Sequence, residues 1–414
     1  LSKEILFLEL MSLCPIADLE FENMLRHLRE GVLRNIDTVS YTPSLGRVLS
    51  ALAVQCYLNE YIYKKANSDD EILAGIERRI SGAIFDKTET HVKEILILAC
   101  YKSLYLCKWN AHIHQIPDLA TVVELQIAQI EEDKKSASSI KALKEISNLI
   151  SMDVQEQYEA SPYPRWVDLK LEKAPLTILE VGRRARLRIS NESIYNCISP
   201  KVLIAGCGTG QQSIEAASRF QNSELVAVDL SAMSLSYAIR KTSEFGLTNI
   251  KYIQADILDL HDLDQEFDVI ECCGVLHHMD NPFRGWEVLV NCLKPGGLMK
   301  VALYSKNARD LVTKVRQEIL RLEVNADPAS IKEFRQMVIE SEEQHHKVVR
   351  SFSDFYCLSE LRDLLFNFKE HKFNLLDLKY ILEKLNLYFC GFENNNLINK
   401  FKRRYNDKND IFDL

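Results

Sequence analysis

Three glycines at alternate positions, Gly206, Gly208 and Gly210, directly follow the apolar run Val202-Leu-Ile-Ala205. A buried strand that feeds a glycine-rich turn is a device for holding a nucleotide. Without Cβ atoms the backbone can turn tightly and approach a ligand closely. Asp229 lies 19 positions beyond Gly210 and closes a second apolar run. A carboxylate there can accept hydrogen bonds from ribose hydroxyls. Asp256 closes a third run, in Gln254-Ala-Asp-Ile257. It can accept from an adenine amino group while the Ile257 backbone reads the ring. A tight-turn signature, Lys294-Pro-Gly-Gly297, precedes a fifth run. The glycines alone decide little, because dinucleotide binders use the related spacing G-x-G-x-x-G. The two acids and the late turn decide which nucleotide is meant.

These residues need strands and helices to position them. Residues 202–205, 225–228, 250–254, 267–272 and 298–304 read as strands, and 211–220, 231–245 and 286–293 as the helices between them. Alternation of this kind predicts right-handed crossovers and a parallel sheet, hence an α/β fold. Upstream, residues 1 to about 155 read as all-helical. Asp18 can cap a helix with Leu25, Leu28, Val32 and Ile36 on one stripe, and Pro43 opens a second. Further amphipathic segments fall near 69–85, 88–107, 117–131 and 138–151. Residues 153–167 change character. Pro162 and Pro164 predict a rigid extended strap carrying Tyr158, Arg165 and Trp166. After Tyr304, residues 309–322, 328–348, 359–366 and 377–385 read as helices and 387–393 as a late strand. The expected division is an all-helical domain at 1–152 for dimerisation or substrate binding, a cofactor-binding domain at 153–305, and a helical insertion with a C-terminal portion at 306–414.

Bulk properties narrow the function. The chain of 414 residues has a net charge of -8 and a pI near 5.8, which argues against a general nucleic-acid grip. The basic run at 400–404 reads as a solvated helix end. Eleven cysteines without a C-x-x-C pair suggest reduced thiols in a cytoplasmic protein. No apolar run is long enough to cross a membrane and no signal peptide is read at the start. His112 and His114 stand at i and i+2, off a common helix face, and no metal is expected.

The four motifs together resemble the class I S-adenosylmethionine-dependent methyltransferases. Those carry (V/L)-L-x-x-G-x-G-x-G, an acid ending strand two, D-(I/L/A) after strand three, and L-K-P-G-G. The resemblance implies a Rossmann-like sheet, with an all-α N-terminal domain and helical additions on the C-terminal side. It implies S-adenosyl-L-methionine as cofactor and S-adenosyl-L-homocysteine as product. Gly206, Cys207, Gly208 and Gly210 would pass under the methionine part, and Asp229 would hold the ribose. Leu230 would cover the adenine, and Asp256 and Ile257 would read its edge. Cys273 and Gly274, after strand four, would run beneath the sulfonium. His277 and His278 lie closest in sequence to the expected methyl position and are candidate proton acceptors. The ending Glu271-Cys-Cys-Gly274 is not the Asn/Asp-Pro-Pro-Tyr loop of enzymes that methylate planar amides or base amino groups.

The strap Tyr158-Glu-x-x-Pro-Tyr-Pro-Arg-Trp166, the helical N-terminal region, Leu358-Ser-Glu-Leu-Arg-Asp-Leu-Leu-Phe366 and Leu387-Tyr-Phe-Cys-Gly-Phe392 resemble one bacterial subfamily. It includes rickettsial methyltransferases acting on lysines of outer-membrane proteins. This implies Arg165 as a partner for the cofactor carboxylate and Tyr158 as a residue closing over the methyl. It also implies a surface-protein substrate with exposed lysines, and an enzyme that binds neither nucleic acid nor membrane and can form a homodimer. The alternatives are a small-molecule methyltransferase, for a natural product or lipid precursor, and a protein that binds the cofactor without turnover. The pattern departs from the family after residue 393, where no seventh strand is visible.

Overall fold

The computed structural model describes residues 3–86, 91–160, 162–367, 369–405 and 410–414. The helices before the sheet are α1 (Ile5–Leu13), α2 (Leu19–Arg34), α3 (Pro43–Leu58), α4 (Asp69–Phe85), α5 (Val92–Ala99), α6 (Ala120–Val123), α7 (Gln129–Ala137), α8 (Leu149–Ala160) and α9 (Ile178–Arg184). The sheet region follows as β1 (Lys201–Ala205), α10 (Gln211–Arg219), β2 (Glu224–Asp229), α11 (Ala232–Glu244), β3 (Ile250–Gln254), β4 (Phe267–Cys273), α12 (Pro282–Asn291) and β5 (Leu293–Ala302). The chain ends with α13 (Asp310–Arg321), α14 (Pro328–Glu340), α15 (Gln344–Arg350), α16 (Leu358–Phe366), α17 (Leu375–Lys384) and α18 (Asn395–Tyr405). Two units result. One takes in residues 1–135, 164–168 and 311–367, the other 136–163, 169–310 and 368–414.

The first unit is helical. The Asp18 carboxylate accepts from the Glu20 and Phe21 amides at 2.8 and 3.0 Å and starts α2, as expected. Thr42 caps α3, with Pro43 in its first turn. Leu25 and Leu33 of α2, Leu49 and Leu52 of α3, Ile76 and Ile80 of α4 and Ile95 of α5 share one core with Val312, Val315 and Ile319 of α13 and Ile331, Phe334 and Val338 of α14. Residues 311–367 therefore fold with the N-terminal helices, whereas the expected division set them apart with the C-terminal portion. Helical spacing of Val312, Val315 and Ile319 shows that α13 has an apolar stripe to bury, but it does not name the core that receives it. Arg335 holds the unit together at a buried point. Its guanidinium donates to both Glu22 oxygens at 2.7 and 2.6 Å and to the Phe355 carbonyl at 2.8 Å.

Several expected helices are shorter or broken. The segment 328–348 divides at Ser341, whose extended backbone (ψ 145) separates α14 from α15. The expected helix at 88–107 is represented by α5 and a 3-10 turn at Leu104–Leu106, and residues 88–90 of it lie outside the described residues. The expected helix at 117–131 passes through a π turn at Glu124–Ala128. Residues 138–151 are not one helix. Leu143 donates to the Gln254 carbonyl and Gln254 to that of Lys141, so this stretch bridges to β3 before α8 begins. In turn, α8 runs to Ala160 and makes helical the first part of what was expected to be an extended strap.

The second unit is a doubly wound α/β layer. Among the described residues the sheet has five parallel strands in the order β3-β2-β1-β4-β5. Alternating residues of β1 serve its two faces. Leu203 and Ala205 join a core with Trp286 and Leu289 of α12 and Ile381 of α17. Val202 and Ile204 join Ala216 and Ala217 of α10 and Leu235 of α11 on the other face. The Lys294-Pro-Gly-Gly297 turn is absorbed into the start of β5, and the helix expected at 286–293 runs as α12 instead. Lys294 Nζ lies 2.9 Å from each Asp268 oxygen, and Asp268 also accepts from the Lys201 amide. The lysine of this motif thus ties together the amino ends of β1, β4 and β5, away from the ligand end. The late strand expected at 387–393 is not part of the sheet. Leu387 packs against the core next to α17 while Cys390 accepts from the Arg188 amide, so the apolar run is satisfied without a ladder.

Candidate active site at the carboxyl ends of the strands

The strand order reverses between β1 and β4, and ligands of open α/β sheets bind outside the carboxyl ends at such a point. The glycine turn leaves β1 there. The Gly206 and Cys207 amides both donate to the Val228 carbonyl at 2.9 Å, which fastens the turn to β2. Gly206 has φ +74, and a Cβ on it would collide with Val275, the residue that crosses from the end of β4. Gly208 has φ +50, and a Cβ there would lie 2.9 Å from the Tyr163 carbonyl oxygen. Gly210 supplies the N-cap position of α10.

Asp229 joins the turn directly. One carboxylate oxygen accepts from the Gly208 amide at 2.8 Å and the other from the Ser231 amide at 3.0 Å. Burial pushes this carboxyl up, and the Ser231 and Gly208 amides pull it back only in part. Each oxygen keeps further acceptor capacity for a ribose hydroxyl. The end of β3 is held alongside, since the Ala255 amide donates to the Asp229 carbonyl and Gln254 Nε2 to the Leu230 carbonyl, each at 2.9 Å. Asp256 is buried and caps the following 3-10 turn through the Leu258 amide at 2.9 Å, with Ile257 buried beside it. Glycine turn, Asp229, Leu230, Asp256 and Ile257 thus line one end of β1, β2 and β3. These residues fit an adenosyl group whose ribose hydroxyls need an acceptor.

The strap splits between the two units. Tyr158 and Tyr163 stack at 6.3 Å in the sheet unit, and Tyr163 meets Gly208 as described. Glu159 caps α11, accepting from the Ala232 and Met233 amides at 2.6 and 3.1 Å. Arg165 belongs to the helical unit, where it lies 4.9 Å over the Tyr57 ring and 3.6 Å from Glu60.

Past β4, Cys273 lies 3.1 Å from Gln212 Nε2, which also bonds Glu271 at 3.0 Å. Burial pushes the Cys207, Cys272 and Cys273 thiols up, so none is a thiolate nucleophile at neutral pH. Gly274 and Val275 lead into a 3-10 turn, Leu276–His278. The His277 ring is buried, and among the described residues neither ring nitrogen has a well-formed hydrogen bond. It packs 3.9 Å from the Tyr304 ring and 4.2 Å from that of His278. His278 Nδ1 donates to the Lys369 carbonyl at 3.0 Å. Arg309 stacks 3.8 Å over Tyr304 and pairs with Glu370. Burial first, then His278 and the Arg309 cation, push the His277 pKa down from 6.5 to about 3. Burial thus favours the neutral imidazole of His277.

A buried neutral histidine costs stability in acid, because the unfolded state takes up the proton first. Its contribution is lost as pH falls from about 6.5 to about 3, at up to about 1.4 kcal/mol per unit. His277→Phe is expected to flatten that part of the stability profile in urea titrations at successive pH values. Coincident wild-type and variant slopes would remove the buried neutral imidazole.

Sequence reasoning missed Glu159, Tyr163, Tyr304, Arg309 and Glu370. Tyr304 carried a usable signal, as it stands two residues after the fifth strand. Glu370 carried none, because only tertiary structure brings it to Arg309.

A parallel sheet with this order, a glycine turn after β1 and acids closing β2 and β3 define the Rossmann-like class I methyltransferase architecture. Residues 202–297 match the family model described as a methyltransferase domain, and this part of the chain is a class I S-adenosylmethionine-dependent methyltransferase domain. An uncharacterized protein of Synechococcus is 34% identical over 125 residues, which cover 30% of this chain and 30% of that one. The ubiquinone biosynthesis O-methyltransferase of Aliivibrio fischeri is 26% identical over 161 residues, 38% of this chain and 66% of that one. The structure of PKMT2 from Rickettsia typhi in complex with AdoHcy matches with a TM-score of 0.40 and 20% identity, over 51% of this chain and 44% of that one. The chain thus spans less than a third of the first of these relatives. Among the described residues, no helix is long and apolar enough to cross a membrane.

Proposed function

We propose that the chain is an S-adenosylmethionine-dependent methyltransferase whose acceptor is a lysine amine of a protein, with a bacterial surface protein as substrate. When bound, the cofactor supplies an electrophilic methyl group on a sulfonium. Asp229 holds the ribose, Asp256 and Ile257 the adenine, and Gly206, Cys207, Gly208 and Gly210 give the methionine part its path, with Cys273 and Gly274 beneath the sulfonium. Tyr158 closes over the methyl.

The observation that carries the amine acceptor is the state of His277. A free lysine has a pKa near 10.4 and attacks only after losing its proton. The burial that keeps His277 neutral acts in the same direction on a lysine amine placed beside it. His277 and His278 then orient the neutral amine and are the candidate acceptors of the departing proton. The net charge of -8 attracts a lysine-rich chain. We place the reaction in the cytoplasm, before export of the substrate, with the helical unit serving substrate binding or homodimer formation.

The test is methyl transfer from labelled cofactor to unfolded surface-protein fragments, read by mass spectrometry. Increments on lysine are expected, and their absence sinks the amine reading. A second reading rests on the stretch shared with the ubiquinone biosynthesis O-methyltransferase. It expects label on a small molecule, a natural product or lipid precursor, instead. Cofactor binding with no transfer to either would support a binding protein without turnover.

A further inference from the structure

Three donor side chains converge in the helical unit. Glu318 projects from α13, and His345 and His346 from the start of α15. His345 Nε2 lies 2.6 Å from one Glu318 oxygen and His346 Nε2 lies 2.8 Å from the other. One ligating atom from each residue falls within 4.8 Å of the other two. We propose that Glu318, His345 and His346 bind a single divalent transition-metal ion, with Zn2+ as the favoured occupant, and that the ion clamps α13 to α15.

The donor set suits that chemistry. Two imidazoles and a carboxylate are ligands for zinc and its neighbours, while calcium and magnesium prefer all-oxygen shells. The anchoring is rigid, because Val315 and Ile319 on α13 and Val349 on α15 are buried in the core on which the three ligands sit. His346 also has the outer partner that metal-bound histidines use. Its Nδ1 lies 2.7 Å from Ser341 Oγ, and Ser341 stands at the break between α14 and α15. The break follows a functional logic, since a continuous helix over 328–348 would not place Ser341 outside the helical frame. An entry path exists, with the Glu318 side chain 23% and that of His345 15% exposed.

Without metal, each Nε2–H donates to the carboxylate. These contacts hold the Glu318 carboxyl below the usual range, against the effect of its burial. Metal binding requires both Nε2 atoms bare. His346 then carries its proton on Nδ1 and donates it to Ser341. Ligand bonds of 2.0–2.2 Å set neighbouring donors roughly 3.3 Å apart in a tetrahedral shell, so Glu318 must retreat by about half an ångström. Three protein ligands leave a fourth position for water.

The experiment titrates the full chain with Zn2+ alone in competition with a chromophoric chelator, and with Co2+ for its spectrum. One equivalent per chain is expected, with a higher Tm for the metal-loaded protein. Glu318→Gln and His345→Ala are each expected to lower affinity at least tenfold while the metal-free circular dichroism stays unchanged. Bound Co2+ should show ligand-field bands without thiolate charge transfer. Equal Zn2+ affinity in wild type and both variants overturns the proposal, as does thiolate charge transfer, which moves the ion to the cysteines. If His345→Ala fails to fold, Glu318→Gln decides alone, since it keeps size and shape.

Discussion

Asp229→Ala is expected to lower S-adenosylmethionine affinity by about 100-fold or more in calorimetry. A charged acceptor bonded to two ribose hydroxyls contributes about 1.5–3 kcal/mol per bond, and each 1.4 kcal/mol is tenfold in Kd. The same carboxylate fixes the glycine turn through the Gly208 and Ser231 amides, so alanine also orphans two backbone donors. Asp229→Asn is the milder change. The amide keeps one acceptor oxygen but sets its NH2 against one of the two backbone donors and one ribose hydroxyl. An intermediate loss, near tenfold, is expected for Asn, with a smaller fall in thermal transition than for Ala. Unchanged affinity in both variants would remove Asp229 from the cofactor site.

The second large effect concerns stability. Glu22→Ala is expected to destabilise the helical unit by about 3–5 kcal/mol, because it leaves the Arg335 guanidinium buried without its counter-charge. Side-chain exposures of 2% for Arg335 and 6% for Glu22 keep solvent from compensating. The Phe355 ring at 4.5 Å and the Phe355 carbonyl remain as weak partners. The double replacement Glu22→Met with Arg335→Met is expected to recover most of the loss, since it leaves no lone charge behind. Urea unfolding followed by circular dichroism reads both. A single-variant loss below about 1 kcal/mol would mean that water reaches the pair.

The sheet and its glycine turn were legible in the sequence for a physical reason. Parallel strands are buried on both faces and read as short continuous apolar runs, and a turn of positive-φ residues demands glycine. Asp229 and Asp256 stood out because each closes such a run. The expected boundary at 305 and the late strand at 387–393 were not legible. Val312, Val315 and Ile319 reveal a buried face but not its partner, and Leu387-Tyr-Phe-Cys suits a coil packed on a core as well as a strand. Helices 88–107 and 117–131 looked longer than they are because amphipathic spacing continues through 3-10 and π turns. The His277, Tyr304, Arg309 and Glu370 pocket is assembled from three separate segments, and only His277 lay within a motif.

The shared core of α2–α5 with α13 and α14 bears on how the chain matures on the ribosome. Glu22 emerges early, while its partner Arg335 is made only after the whole sheet region has been translated. Until then the apolar faces of α2, α3 and α4 lack the helices that cover them. The sheet unit is interrupted in the same way, since all five strands are made by residue 302 but Ile381 of α17 joins the core on one face only later. Each unit thus waits for a segment that lies beyond part of the other, and its apolar faces spend the interval as surfaces that chaperones would recognise.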